Sequence, residues 1–275
     1  MPILPQVKIS IITPSYNSGN TIGNVLKNVL NQRYKNIEHI IIDGGSTDSA
    51  PEVIKEYMAK FEHIRLIEGP DQGIYDAMNK GIKHSSGDYL IFLGCDDQFH
   101  DDDVLMNMAV SGLLDGKHVV YGNAKIVGNT GWAKNGDVYD GKFSLKKLIR
   151  QNICHQAIFY PGEIFSVIGL YNLNYKINAD WDLNWRSWVK TEFVYADRIV
   201  CTFSAGGHST GSTDHAFKAD YMNNIRKYFR FDPKTVLYYG RHSPWGDLTS
   251  THQIDSRFDL FVKKFRQSIG KIISP

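Results

Sequence analysis

The chain has 275 residues, 42% hydrophobic and 22% charged, with a formal net charge of +2. This balance suits one substantial core and excludes a disordered chain. No apolar run reaches the ~18–20 residues of a membrane span, and "MPILPQVKIS" lacks the basic start and apolar stretch of a secretory leader, so a cytoplasmic location is expected.

The three cysteines, Cys95, Cys154 and Cys201, lie far apart inside apolar segments with no C-x-x-C pair. Buried thiols are expected rather than disulfides or a zinc site. The charge is uneven: residues 215–275 carry 11 Lys or Arg against 5 Asp or Glu, and residues 1–214 carry 20 against 24. The C-terminal segment is a basic appendage on a slightly acidic body.

The first half alternates between two patterns. Strands are expected at 7–14, 37–44, 63–69 and 88–94, and helices at 19–32, 49–61 (Pro51 in its first turn) and 72–85. The runs Ile9–Ile12 and Ile40–Ile42 show little polar alternation, as in parallel strands covered on both faces. The expected architecture is α/β and doubly wound, mostly parallel. No G-x-G-x-x-G or G-x-x-x-x-G-K-[ST] follows the first strand, which makes a nicotinamide oxidoreductase or a P-loop ATPase a poor fit.

From about residue 117 the alternation breaks into shorter strands and loops: "HVVYGNAKIVG", "GWAKNGDVYDGKF" and "ICHQAIFYPGEIFSVIG". Two polar stretches stand out. "INADWDLNWRSW" sets Asp180 and Asp182 at the head of an aromatic helix, and "CTFSAGGHSTGST" runs a strand into a Gly-rich turn carrying His208.

One junction poses a physical question. The apolar run Tyr89–Leu93 ends on two adjacent carboxylates, Asp96 and Asp97, which repel each other and resist burial without a counter-charge. They lie at the carboxyl end of a strand, where open α/β sheets bind ligands. Asp101–Asp103 read as a capping cluster for the next helix.

The ordered set "ITPSYN", "IIIDGGSTD", "GPDQGIYDAMNKGI", "GDYLIFLGCDD", "HQAIFY", "ADWDL" and "FSAGGHS" resembles bacterial family 2 glycosyltransferases of the GT-A fold, above all members that build O-antigen, capsule or similar polysaccharides. The resemblance covers roughly residues 7–212. It implies inverting sugar transfer from a nucleotide-diphosphate sugar, with a UDP-sugar the family expectation, usually with Mn²⁺ or Mg²⁺, to a glycan or lipid-linked acceptor. It also implies a smaller acceptor-side sheet and C-terminal helices. The expected division is a GT-A domain over 1–213 (nucleotide-binding half 1–100, acceptor-binding half 101–213) and a basic helical appendage over 214–275.

Residue by residue, the resemblance places Thr13, Pro14 and Tyr16 against the base and ribose and gives Asp43 the uracil imide. The alternative for Asp43 is a turn former in "DGGSTD". Asp71 and Gly73 lie beside the nucleotide, with structural use of the following helix's polar face as the alternative. Asp97 would hold the metal, and Asp96 would lie near the ribose or the metal's water shell. The family's D-x-D-D reads "GCDD" here, with Gly94 in the first acidic position; this supports the alternative of a sugar-nucleotide-binding or scaffold subunit without activity. Oxygen ligands suit Mg²⁺ or Mn²⁺. His208 is placed on the metal or diphosphate, or else is a surface histidine. Asp180 is the expected catalytic base, with plain N-capping as the alternative, and Asp182 would orient Asp180 or the following helix. His155 and Trp181, with Trp185, are candidates for the acceptor surface, although tryptophans at helical spacing commonly fill cores.

In the tail, Phe258, Phe261, Val262, Phe265, Ile269, Ile272 and Ile273 share one helical face, with Lys263, Lys264 and Lys271 elsewhere. This basic amphipathic helix suits an anionic membrane surface or a second subunit of a homo-oligomer. Nucleic acid is a poor fit, since no recognised binding motif accompanies the charges.

Overall fold

The computed structural model describes residues 7–129, 133–204 and 213–230. The first half follows the periodicity: β1 (Ile9–Ser15), α1 (Ile22–Asn31), β2 (Ile37–Asp43), α2 (Ala50–Met58), β3 (Ile64–Glu68), α3 (Ile74–His84) and β4 (Tyr89–Phe92). These strands pair in parallel in the order β3-β2-β1-β4. Every residue of β1 and β2 is buried, which explains why neither strand alternates with polar residues.

The second half comprises β5 (Gln98–Phe99), α4 (Val104–Val110), β6 (Val119–Val127), β7 (Val138–Tyr139), α5 (Leu145–Arg150), a 3₁₀ turn (His155–Ala157), β8 (Ile158–Pro161), α6 (Ile164–Ile168), α7 (Ala179–Trp188), β9 (Phe193–Ser204) and α8 (His215–Phe229). The acceptor-side strands join the first sheet rather than standing apart from it. β8 runs antiparallel between β4 and β6, and the path continues through β9 to β5. This is a mixed α/β sheet, and its topology returns β9 to the carboxyl end of β4.

Burial explains the helices. α1 and α2 close one small core with Ile22, Leu26, Ile41 and Ile54, while α3, α5, α7 and α8 share the largest cluster. Trp185, fully buried on α7, packs its ring 5.3 Å from Phe217 and 5.1 Å from Tyr221 of α8. Of the segment 214–275, then, residues 215–229 contribute apolar side chains to the main core. Asp214 caps α8 by accepting from the Phe217 N–H and also accepts from the Ile177 and Asn178 N–H groups, which ties α8 to the entry of α7. The amphipathic segment 258–273 lies outside the described residues, as does His208.

Candidate active site

The loops after β1 and β2 are stitched into one wall at the carboxyl edge of the parallel strands. The Asn17 N–H donates to Ser46 Oγ, the Thr47 N–H to Asn17 Oδ1 and the Gly19 N–H to Asp48 Oδ2. Asp43 ends β2 buried, and its carboxylate accepts four hydrogen bonds, from the Gly45 and Ser46 N–H groups and from the Ser15 and Ser46 hydroxyls. The turn-forming use of Asp43 is therefore visible directly. Asp71 folds onto this turn: a Cβ at Gly44 would lie 2.4 Å from Asp71 Oδ2, so only glycine admits the contact. Asp71 Oδ1 accepts from the Gly73 N–H, and Gly73 itself sits at φ +115°.

The other expected nucleotide contacts divide by exposure. Thr13 and Pro14 are buried, and Thr13 Oγ1 is 2.9 Å from His39 Nε2, so the Thr13 hydroxyl is committed beneath the wall. Tyr16 is 65% exposed, leaving its ring free to pack on a planar ligand. The polar face of α3 works structurally: Lys80 donates to the Pro70 carbonyl, and Asn79 exchanges hydrogen bonds with the Tyr171 backbone.

The carboxylate doublet after β4 is split by burial. Asp96 is exposed, while Asp97 is 3% exposed. Asp97 Oδ2 accepts from Gln156 Nε2 at 2.7 Å and Oδ1 from the Ser204 N–H at 3.2 Å. Burial, then the neighbouring Asp96 charge, pushes the Asp97 pKa up to about 6, against the pull of those two donors. Gly94 has a positive role in this geometry. A Cβ there would stand 2.7 Å from Asp97 Oδ2 and 3.0 Å from Asp96 Oδ1, so both carboxylates close over one bare α-carbon. Cys95 packs against the small α1–α2 core, and burial, then Asp96, raises its thiol to about 11, which fits an inert packed residue better than a ligand.

The second carboxylate, Asp180, sits in the first turn of α7 with its side chain 12% exposed. Its Oδ2 accepts from Asn152 Nδ2 at 2.8 Å and lies 3.5 Å from His155 Nδ1. Its Oδ1 accepts from the Trp181 N–H at 2.9 Å and meets the Tyr75 hydroxyl at 3.1 Å. Asp180 is not the N-cap, a place held by Asn178. Burial tends to lower the His155 pKa, but the Asp180 carboxylate beside it prevails and the net shift is upward.

Of the two uses expected of Asp182, orienting Asp180 or the following helix, the structure shows the second: Asp182 accepts from Arg186 Nε and from the Tyr228 hydroxyl, both at 2.8 Å, and thereby fixes α7 and α8. Arg186 also donates to the Ile168 and Leu170 carbonyls. Trp181 stacks on Phe217 and donates to the Leu148 carbonyl, so it serves the aromatic core rather than an acceptor surface.

Asn152 and Gln156 are the residues that sequence reasoning missed: Asn152 and the expected acceptor-side residue His155 touch Asp180, and Gln156 touches Asp97. A five-residue strap thus joins the two carboxylate centres, and the start of "HQAIFY" is its trace in the sequence. Ser204 closes the site from β9, its hydroxyl donating to the Asp96 carbonyl.

Among the described residues, no group of three or more His, Cys, Asp or Glu side chains gathers as a ready cation cage. The Asp96–Asp97 pair nevertheless fits a hard divalent ion, since Mg²⁺ and Mn²⁺ are commonly held by one or two carboxylates together with substrate phosphates and water.

Residues 10–165 match the family model described as glycosyl transferase family 2. A PGL/p-HBAD biosynthesis glycosyltransferase of Mycobacterium bovis (strain BCG) is 35% identical over 214 residues, covering 76% of this chain and 81% of its own. An uncharacterised glycosyltransferase of Mycobacterium tuberculosis (strain H37Rv) is 35% identical over 227 residues, covering 80% and 82%. Among solved structures, S. aureus TarS in complex with UDP-GlcNAc superposes with a TM-score of 0.66 at 17% identity, over 80% of this chain. The match spans 65% of that TarS chain, just under two thirds. A mannosyltransferase from Pyrobaculum calidifontis in complex with GDP-Man and Mn²⁺ gives 0.58 at 16% identity, covering 86% and 70%.

Proposed function

Because the chain belongs to glycosyl transferase family 2, and is therefore a glycosyltransferase, we propose that it moves a sugar, with inversion, from a nucleotide-diphosphate donor to a hydroxyl of a glycan or lipid-linked acceptor in bacterial surface polysaccharide or glycolipid synthesis. One observation carries this reading: the strap 152–156 holds a buried carboxylate, Asp180, through Asn152 and the Asp96–Asp97 pair at the carboxyl end of β4 through Gln156.

The wall formed by the β1 and β2 loops takes the nucleotide, with Tyr16 against the base and Asp43 and Asp71 along its polar edge. Asp180 removes the acceptor proton, and the hydroxyl attacks the sugar carbon opposite the nucleotide, so an α-linked donor yields a β-linked product. Asp96 and Asp97 would hold a divalent ion, whose chemistry when bound is to neutralise charge on the departing diphosphate. UDP is the favoured nucleotide, since TarS is bound to UDP-GlcNAc, with GDP next because the mannosyltransferase is bound to GDP-Man.

Calorimetric titration of UDP with and without Mn²⁺, together with UDP release from UDP-GlcNAc, UDP-glucose and UDP-galactose, tests the reading. Asp180→Asn is expected to bind UDP as the parent does and to lose roughly 100-fold or more in turnover. Equal turnover in the variant removes Asp180 from its role, and failure of UDP, GDP and dTDP to bind removes the donor site.

A further inference from the structure

The reading above leaves a proton on a carboxylate that is largely enclosed, and the surroundings of Asp180 restrict where it can go. Asn152 presents Nδ2 to Asp180, and this orientation is fixed from behind. The Tyr160 hydroxyl donates to Asn184 Oδ1 at 2.6 Å, and Asn184 Nδ2 donates to Asn152 Oδ1 at 2.7 Å. Tyr160 and Asn184 are fully buried, so each amide in the chain has one satisfied orientation, and that orientation points a donor at Asp180. The Trp181 N–H is also a donor only. Tyr75 reaches Asp180 and also donates to the Ile177 carbonyl, but a neutral phenol does not take up a second proton. Burial, then Asp180, holds the Tyr75 hydroxyl well above the usual phenol range, so it stays neutral.

Among the described residues this leaves one basic group against the carboxylate. His155 Nδ1 lies 3.5 Å from Asp180 Oδ2, a separation that catalytic pairs commonly close when substrate binds. The imidazole is 19% exposed against 12% for the Asp180 side chain, so it has the wider opening to water of the pair.

We propose that His155 accepts from Asp180 the proton taken from the acceptor hydroxyl and releases it to solvent, regenerating the base for the next turnover. This rests on Asp180 being the base. The balance is simple: the acceptor O–H bond breaks as the proton passes to an Asp180 oxygen, that proton moves to His155 Nδ1, and the imidazolium gives up one N–H proton to water. The reactive imidazole is neutral. Burial lowers its protonation, but the Asp180 carboxylate from α7, with smaller contributions from Cys154 in the strap and Asp97 after β4, outweighs burial and places it above the ordinary histidine range. Activity therefore falls as pH drops through that protonation.

The test compares His155→Ala, His155→Gln and Asp180→Asn in the UDP-release assay across pH, with and without added imidazole. His155→Ala is expected to lose roughly 10- to 100-fold in kcat at unchanged donor KM, to lose the acid limb set by His155 while keeping the lower one set by Asp97, and to recover with imidazole. His155→Gln should also lose the limb without recovery, because its filled site excludes imidazole. Asp180→Asn should be inactive with or without imidazole. If either His155 variant keeps the parent kcat and acid limb while Asp180→Asn is inactive, the relay is overturned and the base stands. A kcat loss with the limb retained and no imidazole effect makes His155 structural and also overturns the relay. An active Asp180→Asn overturns the base assignment and the relay with it. Should His155→Ala not fold, judged by UDP binding, the limb in His155→Gln decides.

Discussion

The Asp96–Asp97 arrangement predicts a specific result for Gly94→Ala. The added methyl would fall about 0.7 Å short of ordinary contact with Asp97 Oδ2 and about 0.4 Å short with Asp96 Oδ1. Asp96 is exposed and can swing aside. Asp97 is pinned by Gln156 at 2.7 Å, and a retreat of about 0.7 Å stretches that bond beyond useful range. Loss of a buried hydrogen bond to a carboxylate costs about 1.5–3 kcal/mol. At roughly 2–4 °C per kcal/mol for a domain of this size, the melting temperature should fall by about 3–12 °C. Metal-dependent UDP affinity should fall roughly 10- to 100-fold, as when a supporting contact to a metal-binding carboxylate is removed. Thermal melts and calorimetry with UDP and Mn²⁺ read both effects. A melting temperature within about 1 °C of the parent, with unchanged affinity, would refute the claim that Gly94 makes room for the two carboxylates.

Asp182 and His39 give two further tests. Asp182→Ala leaves Arg186 and Tyr228 without their shared acceptor and should cost about 3–5 kcal/mol in urea unfolding, while kcat of the folded fraction stays within a few-fold; a stable variant with lost turnover would return Asp182 to the catalytic site. His39 is fully buried, and burial, then His63, lowers its pKa to about 3. The unfolded chain binds this proton first, so the stabilising effect of neutral His39 is complete above the unfolded histidine pKa and is lost as pH falls towards about 3. Between about pH 7 and pH 5 the parent should lose ~2 kcal/mol relative to His39→Gln, as read by urea unfolding at each pH. An equal loss in both proteins would show that His39 is charged in the fold.

Local pattern determined much of this protein. The strands and helices from Ile9 to Phe92 follow from apolar periodicity, because each buries a face that can be read within a dozen consecutive residues. The same pattern placed Asp43 and the Asp96–Asp97 doublet at the carboxyl edge of parallel strands, and the glycosyltransferase motifs ordered along the chain pointed to the family that the comparisons then showed. Which member of the doublet is buried was not legible, because the answer depends on Gln156 and Ser204, brought over by the return of β8 and β9 along the sheet. Nor was the separation of Asp180 from Asp182. Two residues apart on a helix they point in different directions, and only the packing of α8 gives Asp182 its Tyr228 partner while the strap gives Asp180 its Asn152 and His155. Trp181 joined the core for the same reason, with Phe217 waiting on α8. Sequence alone fixes what each segment can bury. Whether a polar side chain is spent on the scaffold or left facing the site depends on partners dozens of residues away, and only the folded chain brings those partners into reach.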